Sequence, residues 1–238
     1  MSTLRVPLRL TIGLAGATVV VIGALATRMA LTGTPRYGFL AWNLFLAWLP
    51  YLAAVAATLV AGTGRRGVLP LGTLWLLFWP NAPYIVTDVV HLRRPGVTVT
   101  WVEVTLIALF AATGLALGPV FSAPATAHTI ARLALGLASL VLMQRVVAVR
   151  YGSTAGVALV ALALPLGAIG IYLGRVHRFN SWDVLADPFA LMRTVAFDLS
   201  GPFSMPVMAA LITAMTCGLA VAYALAWRVG QASDARIS

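Results

Sequence analysis

"FWPNAPYIVTDVVHL", residues 78–92, closes a strongly apolar run with two prolines, an asparagine, an aspartate and a histidine. Its reading decides the architecture, because the rest of the chain is built to avoid such groups. Of 238 residues, 61% are hydrophobic and only 9% are charged, whereas soluble domains carry about 25% charged residues. That leaves too little polar surface to cover a water-soluble body. The composition therefore implies an all-α, polytopic transmembrane helix bundle in one domain, residues 1–238. Its expected setting is a membrane crossed several times, with the lipid bilayer as its main partner.

A span needs about 20 apolar residues. Runs of that size lie at 10–31, 37–61, 68–90, 101–121, 126–149, 154–176 and 206–227, which predicts about seven hydrophobic helices, with six crossings as the other possible parity. The first run follows Arg5 and Arg9 and precedes Ala24-Leu25-Ala26, as in a signal peptide. Its length favours a retained first span. The run at 126–149 carries His128, Arg132, Gln144 and Arg145, which suggests a tilted or partly interfacial helix whose arginines snorkel at its two ends.

The net charge of +10 comes from sixteen arginines and no lysine, scattered in ones and twos between the apolar runs. That is the distribution of membrane-flanking anchors and not of a nucleic-acid surface, so no nucleic-acid partner is expected. Under seven crossings the arginines divide almost evenly and give no orientation. The single cysteine, Cys217, excludes an internal disulfide. Glycines four apart, at 114/118, 152/156 and 170/174, permit close helix packing within the protein and, secondarily, self-association.

In residues 78–92 a residue before proline is pushed out of the helical region. Trp79 and Ala82 are thus expected to be extended and the helix from Val68 to end near Phe78, leaving a broken helix at Pro80–Pro83. Pro83 suits the first turn of a new helix, and Asn81 can bond the freed backbone groups. Continued from there, Tyr84, Thr87, Asp88 and His91 fall on one face. They end either an interfacial helix or a polar cavity, where irregular backbone is tolerated.

A second polar island, "GIYLGRVHRFNSWDVLADP", spans residues 170–188. Asn180 or Ser181 can cap a short helix from Trp182, with Asp183 in its first turn. Asp187-Pro188 reads as a cap and a first helical position. The following helix, near 188–200, is expected to be interfacial. It should bury Phe189, Met192, Val195, Ala196 and Leu199 and expose Arg193, Thr194 and Asp198. Gly201-Pro202 should end it. A third motif, "WNLFLAWLP", residues 42–50, places Asn43 near the start of a span as helix–helix glue.

Together these motifs resemble a polytopic family of unknown function, domain of unknown function 1361. The resemblance rests on Trp42 to Trp48, on Pro80 to Asp88 with His91, and on Gly170 to Arg175 with Asn180 to Asp183. It implies a bacterial inner-membrane protein and brings no activity with it. The chain departs from the pattern at His177, where an apolar residue is expected, and at Phe179, where tryptophan is. A histidine there is a poor candidate for a shared catalytic role. The stretch between Trp101 and Gln144 is also longer than the family pattern.

Three function classes follow. A structural or assembly component is favoured. A transporter, or a small-ligand or lipid binder, is second, with Asn81, Tyr84, Thr87, Arg175, Arg178, Asn180 and Trp182 as candidate contacts. A membrane-embedded enzyme would use Asp88 and His91 with Asp183 as catalytic candidates, and Arg175 to hold a lipid-like substrate. No HExxH or GxSxG pattern occurs, and neither a cofactor nor a tightly bound metal is expected.

Overall fold

A computed structural model describes residues 6–33, 38–61, 67–81, 123–177, 179, 183–202 and 204–235. The described elements are helices: α1 (Leu8–Thr32), α2 (Gly38–Val60), α3 (Val68–Phe78) with a 3₁₀ turn at Trp79–Asn81, α4 (Ala123–Tyr151), α5 (Ser153–Val176), α6 (Asp183–Ala186), α7 (Pro188–Ser200) and α8 (Ser204–Ala235). Five contain stretches long and apolar enough to cross a membrane: Leu8–Thr32, Leu40–Val60, Ile130–Tyr151, Ser153–Gly174 and Met205–Arg228. This is an all-α bundle of a multi-pass membrane protein. The expected fourth run, 101–121, and the second half of the third lie outside the described residues.

Side-chain contacts fix the direction of each apolar helix. Thr11 bonds Tyr51 (2.8 Å) and Trp48 donates to Thr18 (3.1 Å), so α1 and α2 are antiparallel. Gly67 lies against Val60 where α2 passes into α3. Trp75 donates to Ser139 (3.1 Å) and Trp79 to the Gly136 carbonyl (3.4 Å), so α3 and α4 are antiparallel. The α4–α5 hairpin turns at Gly152, whose φ of 100° suits a residue without a side chain. Close by, Gly156 faces Ala148 and the Gln144 carbonyl. Met208, near the start of α8, packs on Tyr172 and Leu173 near the end of α5. Tyr223, near the other end of α8, donates to Gln144 on α4. The six apolar helices α1, α2, α3, α4, α5 and α8 therefore alternate in direction. α1, α3 and α5 end at one end of the bundle.

α4 is the hub: it packs against α1, α2, α5 and α8. Leu135, Leu140, Met143 and Val146 on it are fully buried. Arg132 is buried with them at 1% exposure, so the expectation of an interfacial helix with a snorkelling Arg132 is corrected. A guanidinium is costly in hydrocarbon but tolerable inside a bundle, and α4 turns it there. At the opposite end of the helix, Arg145 stacks over Trp227, 5.7 Å from the ring centroid.

Candidate functional site

α3 has 11 residues, a rise of about 16 Å, roughly half the hydrocarbon thickness of a bilayer. It ends at Phe78, as the prolines dictate. Trp79, however, is helical (φ −56°, ψ −39°), and its N–H bonds the Trp75 carbonyl. The expectation of an extended residue before Pro80 is thus corrected, and packing supplies the reason. The Trp79 ring is 1% exposed and fills a notch on α5 that only glycine leaves. A Cβ added at Gly167 would stand 2.0 Å from Trp79 Cζ3. One turn on, a Cβ at Gly170 would stand 2.6 Å from Pro80 Cβ. Burial of the indole overrides the local bias against helical geometry before proline.

Two of the sequence motifs meet at this contact. Pro80 opens the first polar island and Gly170 opens the second, so the islands begin side by side at one end of the bundle. Asn81 closes the 3₁₀ turn. Ala82, Tyr84, Thr87, Asp88 and His91 lie outside the described residues, as do Arg178, Asn180 and Trp182. Arg175 stands in the last turn of α5. Asp183 opens α6 and is half-buried.

The described part of the second island holds a polar cluster that the sequence did not single out. Asp198 on α7 is 4% exposed. Its Oδ2 accepts from the Tyr172 hydroxyl at 2.8 Å and lies 2.7 Å from His177 Nε2. The Tyr172 and His177 rings meet edge to face with centroids 5.6 Å apart, and Phe179 lies 6.5 Å beyond. Ionised, Asp198 offers only lone pairs, which places the protons on Tyr172 Oη and His177 Nε2. The carboxylate so clasps α7 to the end of α5.

α7 itself forms where expected. Asp187 caps it by accepting from the Ala190 N–H at 3.0 Å, Pro188 occupies the first turn and Gly201 follows its end. Its facing departs from the expectation on both sides, though Val195 turns inward and Arg193 outward as expected. Leu191, Thr194, Val195 and Asp198 turn inward, while Phe189, Met192, Phe197 and Leu199 are exposed at 55–76%. In water the apolar face would seek the core. In a bilayer lipid is as apolar as the core, so the polar face is the one that must find partners inside. Asp198 was legible on that rule: it is one of six acidic residues in the chain and stands in the last turn of a largely apolar helix.

A family model matches residues 42–131 and 122–218, about three quarters of the chain, under the description "Protein of unknown function (DUF1361)". The protein belongs to the DUF1361 family. All three motifs of the DUF1361 chain fall within the matched residues, and so does the Tyr172–Asp198–His177 cluster. The two matched segments meet at residues 122–131, inside the stretch that reads as longer than the family pattern. No protein of curated function and no solved structure matches the chain.

Proposed function

We propose that this DUF1361 protein is a structural or assembly component of the bacterial inner membrane. The observation that carries the reading is where its polar side chains go. Thr11 and Tyr51, Thr18 and Trp48, Trp75 and Ser139, and Gln144 and Tyr223 each join two helices. Groups of that kind inside an apolar bundle serve as glue between helices. Self-association is supported by the periphery. The spans of α1 and α8 are only 17% and 22% buried, against 44–50% for α2, α4 and α5. Gly13, Gly16 and Gly23 on α1 have open space where a Cβ would stand.

A ligand-binding or enzymatic role is the second reading. It is favoured by the contact of Pro80 with Gly170, which starts both polar islands from one end of the bundle. In that reading Asp88, His91, Asp183 and Arg175 converge on a lipid-like substrate. One experiment separates the two. A strain lacking the gene is complemented with Asp88→Asn, His91→Gln and Asp183→Asn variants, and protein level and thermal unfolding are recorded alongside. The structural role expects each variant to complement in proportion to its level. Loss of complementation at unchanged level and unfolding temperature would transfer the case to the site.

A further inference from the structure

Among the described residues, His177 stands out because its two ring nitrogens have different surroundings. Nε2 is engaged by Asp198 at 2.7 Å. Nδ1 makes no hydrogen bond to the described residues, although the side chain is 24% exposed while its carboxylate partner is 6% exposed. In the neutral imidazole, a buried carboxylate that takes the Nε2 proton fixes the tautomer and leaves Nδ1 with a lone pair. Tyr172 holds the same oxygen from the other side at 2.8 Å, so the carboxylate cannot readily turn away. The rings of Tyr172 and Phe179 flank the imidazole and keep part of it out of bulk water, where a hydrogen bond is stronger.

The place of this nitrogen narrows what can reach it. His177 follows the last residue of the Ser153–Gly174 span by three positions, so it stands at the level of a membrane surface. A single imidazole nitrogen is too few ligands for a stable metal site. The chain has a net charge of +10 and its sequence carries arginines at 175 and 178 on either side of His177, so cationic donors are disfavoured. A neutral hydroxyl remains. We propose that His177 Nδ1, oriented by Asp198, is a binding site for a hydroxyl group presented at the membrane surface, from a lipid headgroup or a small polyol in water.

The test is ¹⁵N NMR of histidine-labelled protein in nanodiscs. The His177 resonances are assigned by their loss in His177→Gln or, should that variant not fold, by elimination with His91→Gln and His128→Gln. In phosphatidylcholine, which has no headgroup hydroxyl, the wild type is expected to show a proton on Nε2 and none on Nδ1. In phosphatidylglycerol the Nδ1 resonance should move upfield, as on accepting a hydrogen bond. Phosphatidylmethanol, equally anionic but without hydroxyls, should not move it. If glycerol added to phosphatidylcholine nanodiscs produces the shift, the source is soluble; if only phosphatidylglycerol does, it is the headgroup. Tyr172→Phe, which keeps the carboxylate, should keep the tautomer. A proton on Nδ1 in the wild type, or an Nδ1 resonance indifferent to both hydroxyl sources, would overturn the proposal and leave the cluster as a clasp alone.

Discussion

α5 makes two junctions within ten residues, and they are held by opposite means. At Gly167 and Gly170 it receives Trp79 and Pro80 through absence of side chain. At Tyr172 and His177 it holds α7 through a shared carboxylate. The first junction is steric and apolar, and it would work equally well in a soluble core. The second has meaning only because the opposite face of α7, with Phe189, Met192, Phe197 and Leu199, is turned outward. In a bilayer a helix gains little by hiding apolar surface and much by satisfying an acid. The bundle uses tight packing where two apolar elements meet and polar pairing where an edge helix must be held.

The alternation that brings these junctions to one end can be broken outright. In a Cys217→Ala background, single cysteines at Thr32 and Ser200 should label from one side of intact cells, and one at Ser153 only from the other. The response is all or none for each position. Labelling of Ser153 and Ser200 from the same side would overturn the alternation of helices described above. The steric junction comes next in size. Gly167→Ala places a methyl group against the indole, and overpacking of that kind costs about 3 kcal/mol or more when neither partner can move. Thermal unfolding in detergent should show the loss, with partial recovery in the Gly167→Ala/Trp79→Phe double variant. Recovery of nothing would mean that the ring is not what the methyl group meets.

The polar junction should respond less. Asp198→Asn keeps the shape but exchanges a carboxylate for an amide, weakening its charge-assisted bonds, those to Tyr172 and His177 among them, by about 1.5–3 kcal/mol. Tyr172→Phe removes one donor and should cost about 1 kcal/mol. Both are read by the same unfolding assay. An Asp198→Asn protein as stable as the wild type would show that the carboxylate holds nothing together.

Much of this fold is legible in the sequence, and the reasons differ by element. Apolar run length located the five long helices within a few residues, because nothing but lipid or protein can surround such segments. Pro80 ended α3 and Asp187-Pro188-…-Gly201 bracketed α7, because caps and breakers act locally. Arg132 was misplaced because hydropathy weighs a charge without saying which way it points. α4 is apolar on most of its circumference, so its inward direction is set by neighbours and not by its own pattern. At Trp79 the local rule before proline yields to a tertiary partner, and Gly167 carries no pattern of its own that would announce a notch. Asp198 escapes the sequence for another reason: on an interfacial helix the polar face is expected to meet headgroups and water, whereas here it meets Tyr172 and His177.

The smallest expected effect tests that last point most directly. Phe189 and Phe197 are exposed at 76% and 74%, and they stand on the face of α7 that a water-soluble helix would bury. If that face meets lipid, neither side chain packs against protein. Replacing either by leucine, an apolar residue of different shape, should then change stability by less than about 0.5 kcal/mol, as at a site away from packed features. The same replacement in a packed core would leave a void or force a misfit and cost about 1–3 kcal/mol. The polar substitution Phe197→Ser should separate two environments. In detergent micelles the change in unfolding temperature should be slight, because no protein contact is lost. In vesicles the variant should bind lipid less well by the transfer energy of one aromatic side chain, about 1.5–3 kcal/mol. A Phe197→Leu variant that loses as much stability as Asp198→Asn would put Phe197 inside a packed interface, and the inward-facing acid would then need another cause.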